Sequence, residues 1–210
     1  EVALQLEKGR EITGGIQFFS NSDQEFIRGW LEKNPVQISY DFEVDFSRER
    51  VDKEDGREGN LLTLAETWRY NLTIENRSKR GTSGTAVDGL ELHYNLVKTP
   101  KAKSGESREL NQGLSPHKGT LVKKGKVELQ QIEYLRELEI STEDFPINHS
   151  ELAPGWYYSD GSNDEANDVF DGIIVQIVKD GDTVFKTTHG TNQVDSIQFL
   201  TVTGSKRTRD

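Results

Sequence analysis

The amino-acid sequence predicts an all-β protein built as an antiparallel β-sandwich. Three observations carry this prediction: strict alternation of apolar and polar residues in several segments, one run that is apolar on both faces, and turn residues between the segments. Alternation with a period of two places all the apolar side chains of a strand on one face of a sheet. Many short segments of this kind, separated by turns, are typical of a two-sheet sandwich.

One short helix is expected in the N-terminal part of the chain. Ser22 and Glu25 have the spacing of a capping box, and Asn34-Pro35 supplies a stop. The apolar residues between them fall on one helical face: Phe26, Ile27, Trp30 and Leu31. Weaker strands are predicted on the N-terminal side of the helix, over residues 2–6 and 15–19.

The clearest strands are three alternating segments, over residues 36–46, 68–74 and 90–96. Each has one apolar and one polar face, as in antiparallel sheets that are covered on one side. The run over residues 172–178 is apolar on both faces, which predicts a central strand covered on both sides. Asp180-Gly181 then predicts a hairpin turn. Further weak strands are predicted over residues 126–132, 135–140 and 196–202.

The segments over residues 47–58, 78–89 and 100–118 are rich in charged residues, Gly or Ser, and they are predicted to be solvated loops. The resulting division is an N-terminal extension (1–34), a sandwich domain (35–203) and a flexible basic tail (204–210).

Composition restricts the compartment and the partners. The chain has no Cys, which excludes disulfides, thiolate metal ligands and thiol nucleophiles. It has no Met either, so Glu1 is not a translation start, and we expect that a leader has been removed from an extracytoplasmic protein. The formal net charge of −10 disfavours nucleic acid as a partner. No apolar stretch reaches the roughly 20 residues of a membrane span.

The order of several motifs resembles a group of uncharacterised secreted bacterial envelope proteins with an immunoglobulin- or fibronectin-III-like sandwich. The motifs are Trp68-Arg69-Tyr70 followed by Ile74-Glu75-Asn76-Arg77-Ser78, then residues 90–96, Gly119-Thr120-Leu121, and Trp156-Tyr157-Tyr158-Ser159-Asp160-Gly161 before residues 170–175. The resemblance implies fold and compartment, and it carries over no functional residue. A concanavalin-like jelly roll is the alternative fold.

An acidic loop follows the aromatic cluster and has the ligand spacing of a calcium loop. Positions 1, 3, 5, 9 and 12 are Asp160, Ser162, Asp164, Asp168 and Asp171. Position 6 is Glu165 where such a loop has Gly, and position 12 is Asp where it has Glu. The sequence therefore favours a plain acidic turn, with calcium as the alternative and no other cofactor expected.

Aromatic residues form the second candidate site. Trp156, Tyr157, Tyr158 and Trp30 are the residues that we assign to a platform for stacking sugar rings, with Asp160 and Asn163 binding hydroxyls. The competing interpretation, which the sequence favours, is that Trp156 and one Tyr close the end of the core. Trp68 and Tyr70 are expected in the core.

No catalytic constellation emerges from the sequence. The four histidines are dispersed, and the alternating carboxylates Asp41, Glu43 and Asp45 are expected on a solvated strand face. We therefore expect a non-catalytic structural or protein-interaction module of a secreted or cell-envelope protein, whose partner is a protein or glycan at the cell surface. The alternative is a carbohydrate-binding module that uses the aromatic platform, with or without calcium.

Overall fold

The computed structural model describes residues 2–5, 11–33, 37–100, 115–117, 119–159, 161 and 165–201. In chain order the strands are β1 (Val2–Gln5), β2 (Glu11–Gly14), β3 (Ile38–Ser39), β4 (Phe42–Glu58), β5 (Leu61–Asn76), β6 (Lys79–Arg80), β7 (Ser83–Gly84), β8 (Leu90–Thr99), β9 (Ser115–His117), β10 (Thr120–Leu129), β11 (Glu137–Ser141), β12 (Phe145–Leu152), β13 (Ala166–Asn167), β14 (Val169–Lys179) and β15 (Asp182–Gly190). The helices are α1 (Asn21–Lys33) and α2 (Asn192–Asp195).

Two antiparallel sheets form the sandwich. The back sheet has the order β15-β14-β8-β10-β9. In the front sheet β4 pairs with one edge of β5, while β11 and β12 share its other edge and β13 follows β12. Two small sheets, β1-β2 and β3-β6-β7, complete the strand pairing of the described residues. The predicted all-β antiparallel sandwich is confirmed, while its immunoglobulin or fibronectin-III type stays a prediction.

The core lies between the facing sheets and uses the predicted alternation. Leu72 and Ile74 of β5 pack with Leu92, Tyr94 and Leu96 of β8, all at most 1% exposed. The predicted burial of Tyr70 is confirmed, and Trp68 is half-buried against the same cluster. Asp41, Glu43 and Asp45 are exposed, as expected for the opposite face of this alternation.

The strand β14 is buried on both faces, as its sequence predicts. Ile173 and Val175 face the sandwich core, whereas Ile174 packs in a second cluster on the outer face of the back sheet. Residues 192–201 cover that face with α2 and the side chains of Val194 and Ile197. The predicted strand over 196–202 is therefore wrong within its described part, because these apolar residues pack onto the sheet without joining it. Its last residue lies outside the described chain.

The N-terminal helix is confirmed, but its cap differs from the predicted one. Ser20 Oγ accepts a hydrogen bond from the Asp23 N–H at 3.3 Å and donates to the Asp23 carboxylate at 2.5 Å. The cap is therefore Ser20, two residues earlier than the predicted Ser22, and the helix begins at Asn21. Ile27 is buried. The predicted strand over 15–19 is wrong, because residues 16–18 form a 3-10 turn closed by the Phe18 N–H and the Gly15 carbonyl. Neither described helix is long and apolar enough to cross a bilayer.

The largest correction concerns residues 47–58. These residues continue β4 and pair with β5 except at a bulge at Val51, and a two-residue turn at Gly59-Asn60 joins the two strands. Their charge density indicates a loop, but the neighbouring strand satisfies the backbone hydrogen bonds and leaves the charged side chains in solvent. The segment 78–89 also contains the short strands β6 and β7, and most of the segment 100–118 lies outside the described residues, as does the tail 204–210.

Candidate functional site

The front sheet continues beyond the part that packs on the back sheet. We call this continuation the arm: residues 50–68 of the β4–β5 hairpin together with β12 and β13. Leu62 and Leu64 occupy the same face of β5 as Tyr70 and Leu72, because successive even positions of a strand share a face. Both are only half-buried and belong to neither hydrophobic cluster. The inner face of the sheet is therefore open over the arm.

The open inner face forms a cavity of about 420 Å³, which we call the arm groove. Leu62 and Leu64 form its apolar part. The remaining lining residues surround them with polar groups: Asp55, Gly56, Thr63, His149, Ser150, Glu151, Glu165 and Asn167. Strand register brings them together, since Asp55 and His149 flank Leu64, and Asn167 is opposite His149. Paired residues of antiparallel strands share one face, so these side chains converge on the groove.

Glu66 marks the boundary between the core and the groove. Its carboxylate accepts hydrogen bonds from Arg50 Nη1 at 2.8 Å and from Trp68 Nε1 at 3.0 Å, and it lies 4.0 Å from His149 Nε2. Burial acts to raise the pKa of Glu66, but these hydrogen bonds and the charge of Arg50 together hold that pKa below its usual value. The groove thus ends against an ionised carboxylate whose partners are already in place.

The aromatic cluster lies at the far end of the arm. Ala153 N–H donates to the Asn60 carbonyl at 2.8 Å, which fixes the end of β12 against the tip of the hairpin. Pro154-Gly155 then turns the chain, with Gly155 at φ +86 and the Trp156 N–H donating to the Ala153 carbonyl at 3.1 Å. A Pro-Gly pair with positive φ at the glycine is the signature of a type II turn. This turn directs Trp156 and Tyr157 away from the sandwich.

Trp156 and Tyr157 are 52% and 66% exposed. The interpretation that Trp156 closes the end of the core is therefore wrong: the arm places this corner beyond the core altogether. Both aromatic residues line a recess of about 110 Å³, and Glu151 and Glu165 line it too. Because those two carboxylates also line the arm groove, the recess and the groove are adjacent parts of one surface.

Two predicted platform residues lie apart from this surface. Trp30 is on α1, is 52% exposed and lines neither the groove nor the recess. Tyr158 is half-buried and likewise lines neither. The structure thus brings together Trp156 and Tyr157, and it adds groove residues that the sequence did not single out.

The described part of the predicted calcium loop has other partners. Asp168 is buried and its Oδ2 accepts hydrogen bonds from Lys98 Nζ at 2.9 Å and from Asn148 N–H at 3.0 Å. Asp171 is also buried and accepts from Thr99 Oγ1 at 2.7 Å. These contacts fix the beginning of β14 to the end of β8, so a cation from the chain already neutralises Asp168.

The remaining predicted ligands, Asp160, Ser162 and Asp164, lie outside the described residues, as does Asn163. Among the residues that the structure does describe, no group of three acidic or histidine side chains has the arrangement of a metal site. The calcium hypothesis for the complete five-residue set stays a prediction.

Comparison with protein-family models, curated proteins and solved structures finds no match to this chain. The case for function therefore depends on the groove itself.

Sequence reasoning missed His149, Glu151, Glu165 and Asn167, although two signals pointed to the arm. Gly59-Asn60 is a hairpin dipeptide, and Gly59 has φ +60 as a two-residue turn with glycine first requires. The alternating pattern that contains Trp68 also continues upstream to Leu64 and Leu62, and the charged Glu66 lies between Trp68 and Leu64. A charge in the middle of an apolar face indicates that the cover of that face ends there.

Proposed function

We propose that this protein is a non-catalytic binding module of an extracytoplasmic protein, and that its arm groove binds an oligosaccharide. The observation that carries the proposal is the uncovered inner face of the front sheet, where an apolar strip and a polar rim lie next to two exposed aromatic rings. A sugar ring has an apolar face of C–H groups and an edge of hydroxyls, so it requires both kinds of surface in one place.

The size and the chemistry of the groove support this proposal. A volume of about 420 Å³ lies within the range of roughly 300–1,000 Å³ for small-molecule sites. Leu62 and Leu64 provide the apolar contact, and His149 and Asn167 carry groups that donate and accept hydrogen bonds. Trp156 and Tyr157 at the rim offer rings on which a further sugar unit stacks.

Binding is a better assignment than hydrolysis. A glycosidase needs one carboxyl group that is buried enough to act as a general acid. Glu151 and Glu165 are both exposed, which suits hydrogen bonds to a ligand more than proton transfer.

A glycan array followed by calorimetry on the best ligand tests the proposal. We expect Trp156→Ala to weaken binding about tenfold, as is typical when an aromatic contact residue is truncated. Trp30→Ala is the matched control, because Trp30 is also 52% exposed but lies on α1. The control should bind like the parent protein. Loss of binding in Trp30→Ala with none in Trp156→Ala, or no glycan bound at all, would contradict the proposal.

Protein interaction through β4 is the second candidate function. Within the described chain β4 pairs only with β5, so its other edge is open, and residues 47–58 are all exposed. The bulge at Val51 and the high charge of this strand oppose the addition of a further strand, so a partner would bind its side chains. If this candidate is right, the double variant Asp52→Lys with Glu54→Lys should no longer bind a cell-surface protein partner, whereas Trp156→Ala should still bind it.

A further inference from the structure

The lining residues of the groove and the recess carry a net negative charge. Asp55, Glu151 and Glu165 line this surface, and no Lys or Arg is among the lining residues of either part. His149 is the single base among them. The surface that meets the ligand is therefore acidic, in a chain whose formal net charge is already −10.

The cations of the arm are engaged elsewhere. Arg50 pairs with Glu66 at 2.8 Å, and Arg57 Nε donates to the Gly59 carbonyl at 2.9 Å. Lys53 Nζ lies 3.2 Å from an Asp55 oxygen, so the positive charge of Lys53 is paired with the carboxylate of Asp55. These contacts engage the three basic side chains of the arm, and none of the three lines the recess.

Glu151 and Glu165 have no Lys or Arg partner in the part of the chain that the structure describes. Within the described ranges neither forms an ion pair with Lys or Arg, and Glu165 accepts a hydrogen bond only from the neutral amide of Asn167, at 2.7 Å. Both carboxylates lie beside the exposed rings of Trp156 and Tyr157. Aromatic faces and carboxylates attract the same kind of group, a cation, and each reinforces the preference of the other.

We propose that this surface selects a cationic oligosaccharide, one built of 2-amino sugars whose amino groups are free and protonated. This inference rests on the proposed glycan-binding function and names the ligand class. An inorganic cation would leave Leu62 and Leu64 without a contact, whereas an amino sugar brings an apolar ring face together with its ammonium group. Uronic acids and sulfated sugars are disfavoured, because they would place a negative charge against Glu151 and Glu165.

Calorimetry with three hexasaccharides at mildly acidic pH tests the inference: glucosamine hexamer, its N-acetylated counterpart and a neutral glucose hexamer. We expect the glucosamine hexamer to bind most tightly, with an affinity that falls as salt rises because exposed charges are screened. Glu151→Gln and Glu165→Gln should each weaken it about threefold, which is the usual size of one exposed charge contact. Both positions are exposed, so the variants should fold.

Glu139→Gln is the matched control, because it removes the same charge from an exposed position on β11. It should bind like the parent protein. Equal or tighter binding of the neutral hexamers, with no effect of the two Gln variants, overturns the amino-sugar inference and leaves the glycan-binding function intact. If none of the hexamers nor any array glycan binds, both fail. Binding of a Lys-rich peptide in place of all saccharides also overturns the inference, since it would make the groove a site for basic peptides.

Discussion

The buried pair of Lys98 and Asp168 gives the sharpest prediction about stability. Their side chains are 3% and 2% exposed, and the ammonium group lies 2.9 Å from the carboxylate. Lys98 Nζ also donates to the Pro146 carbonyl at 2.7 Å, and Asp168 accepts from the Asn148 N–H, so the pair connects β8, β12 and the start of β14. The structure therefore makes Asp168 a structural residue that closes the end of the core.

The expected magnitude follows from this burial. Asp168→Asn keeps an acceptor for the Asn148 N–H but leaves Lys98 charged and buried without a counter-ion. Removing one partner of a buried pair costs about 3–5 kcal/mol of unfolding free energy. With a urea slope of about 2 kcal/mol/M, the unfolding midpoint should fall by about 1.5–2.5 M.

A double-mutant cycle in urea isolates the ion pair. Lys98→Met alone should cost a similar amount of unfolding free energy, because it removes the cation that lies 2.9 Å from the buried Asp168 carboxylate. The double variant Lys98→Met with Asp168→Asn removes both charges and should recover most of the loss, which gives a coupling energy of about 2 kcal/mol or more. Additive losses in the double variant would refute the buried-pair argument.

The same variant separates the structural role of Asp168 from calcium binding. If Asp168 serves the core alone, calcium should shift the thermal midpoints of the parent and of Asp168→Asn equally or not at all. Calcium that stabilises the parent and not the variant would make Asp168 a calcium ligand, since a ligand that binds the native state raises its stability.

Three further predictions concern the backbone and pH. Gly172→Ala should cost about 3 kcal/mol of unfolding free energy, because Gly172 has φ +145 and a Cβ there would collide with the His189 carbonyl oxygen. Gly29→Ala in α1, with open space around it, should stabilise by about 0.5–1 kcal/mol. Equal effects of the two variants in a urea series would contradict the close contact at Gly172. The hydrogen bonds from Lys126 and then His93 lower the pKa of Glu91. Its contribution to the unfolding free energy is therefore present above pH 4.5, the ordinary pKa, and is lost as pH falls through the lowered pKa. Glu91→Gln should flatten the fall of stability at acidic pH, and an unchanged fall would exclude this contribution. Burial raises the pKa of Tyr70, so its contribution to the unfolding free energy is present below pH 10.0 and is lost as pH rises through the raised pKa. Tyr70→Phe should flatten the fall of stability at alkaline pH. A fall as steep as that of the parent protein would show that Tyr70 does not cause it.

The fold class could be predicted because the alternation of apolar and polar residues along a strand shows which face of the sheet is buried. The segments containing Tyr70, Tyr94 and Ile174 place their apolar residues as a two-sheet core requires, and Asp180-Gly181 forms its predicted two-residue turn with both residues at positive φ. These signals are local, so a single sequence contains them. The wrong strand at 196–202 shows the limit: apolar residues that cover a sheet resemble those that join one.

The arm could not be predicted from composition because its strands are stabilised by neighbours rather than by their own apolar residues. Residues 50–58 carry charge at most positions, and only pairing with β5 makes them a strand. Without this pairing, the sequence does not indicate that the chain near Trp156 lies beyond the end of the core. The groove residues were missed for the same reason, since Glu151 and Glu165 meet only when β12 and β13 extend past the sandwich.

A map of amide chemical shifts during titration with the tightest-binding glycan of the array tests most directly whether the arm groove is the binding surface. We expect the shifts to concentrate at residues 61–64, 149–151 and 165–167 and at the Trp156 indole, while the signals of the outer face of the back sheet stay unchanged. Shifts centred on α1 or on the back sheet, or none at saturating saccharide, would contradict it.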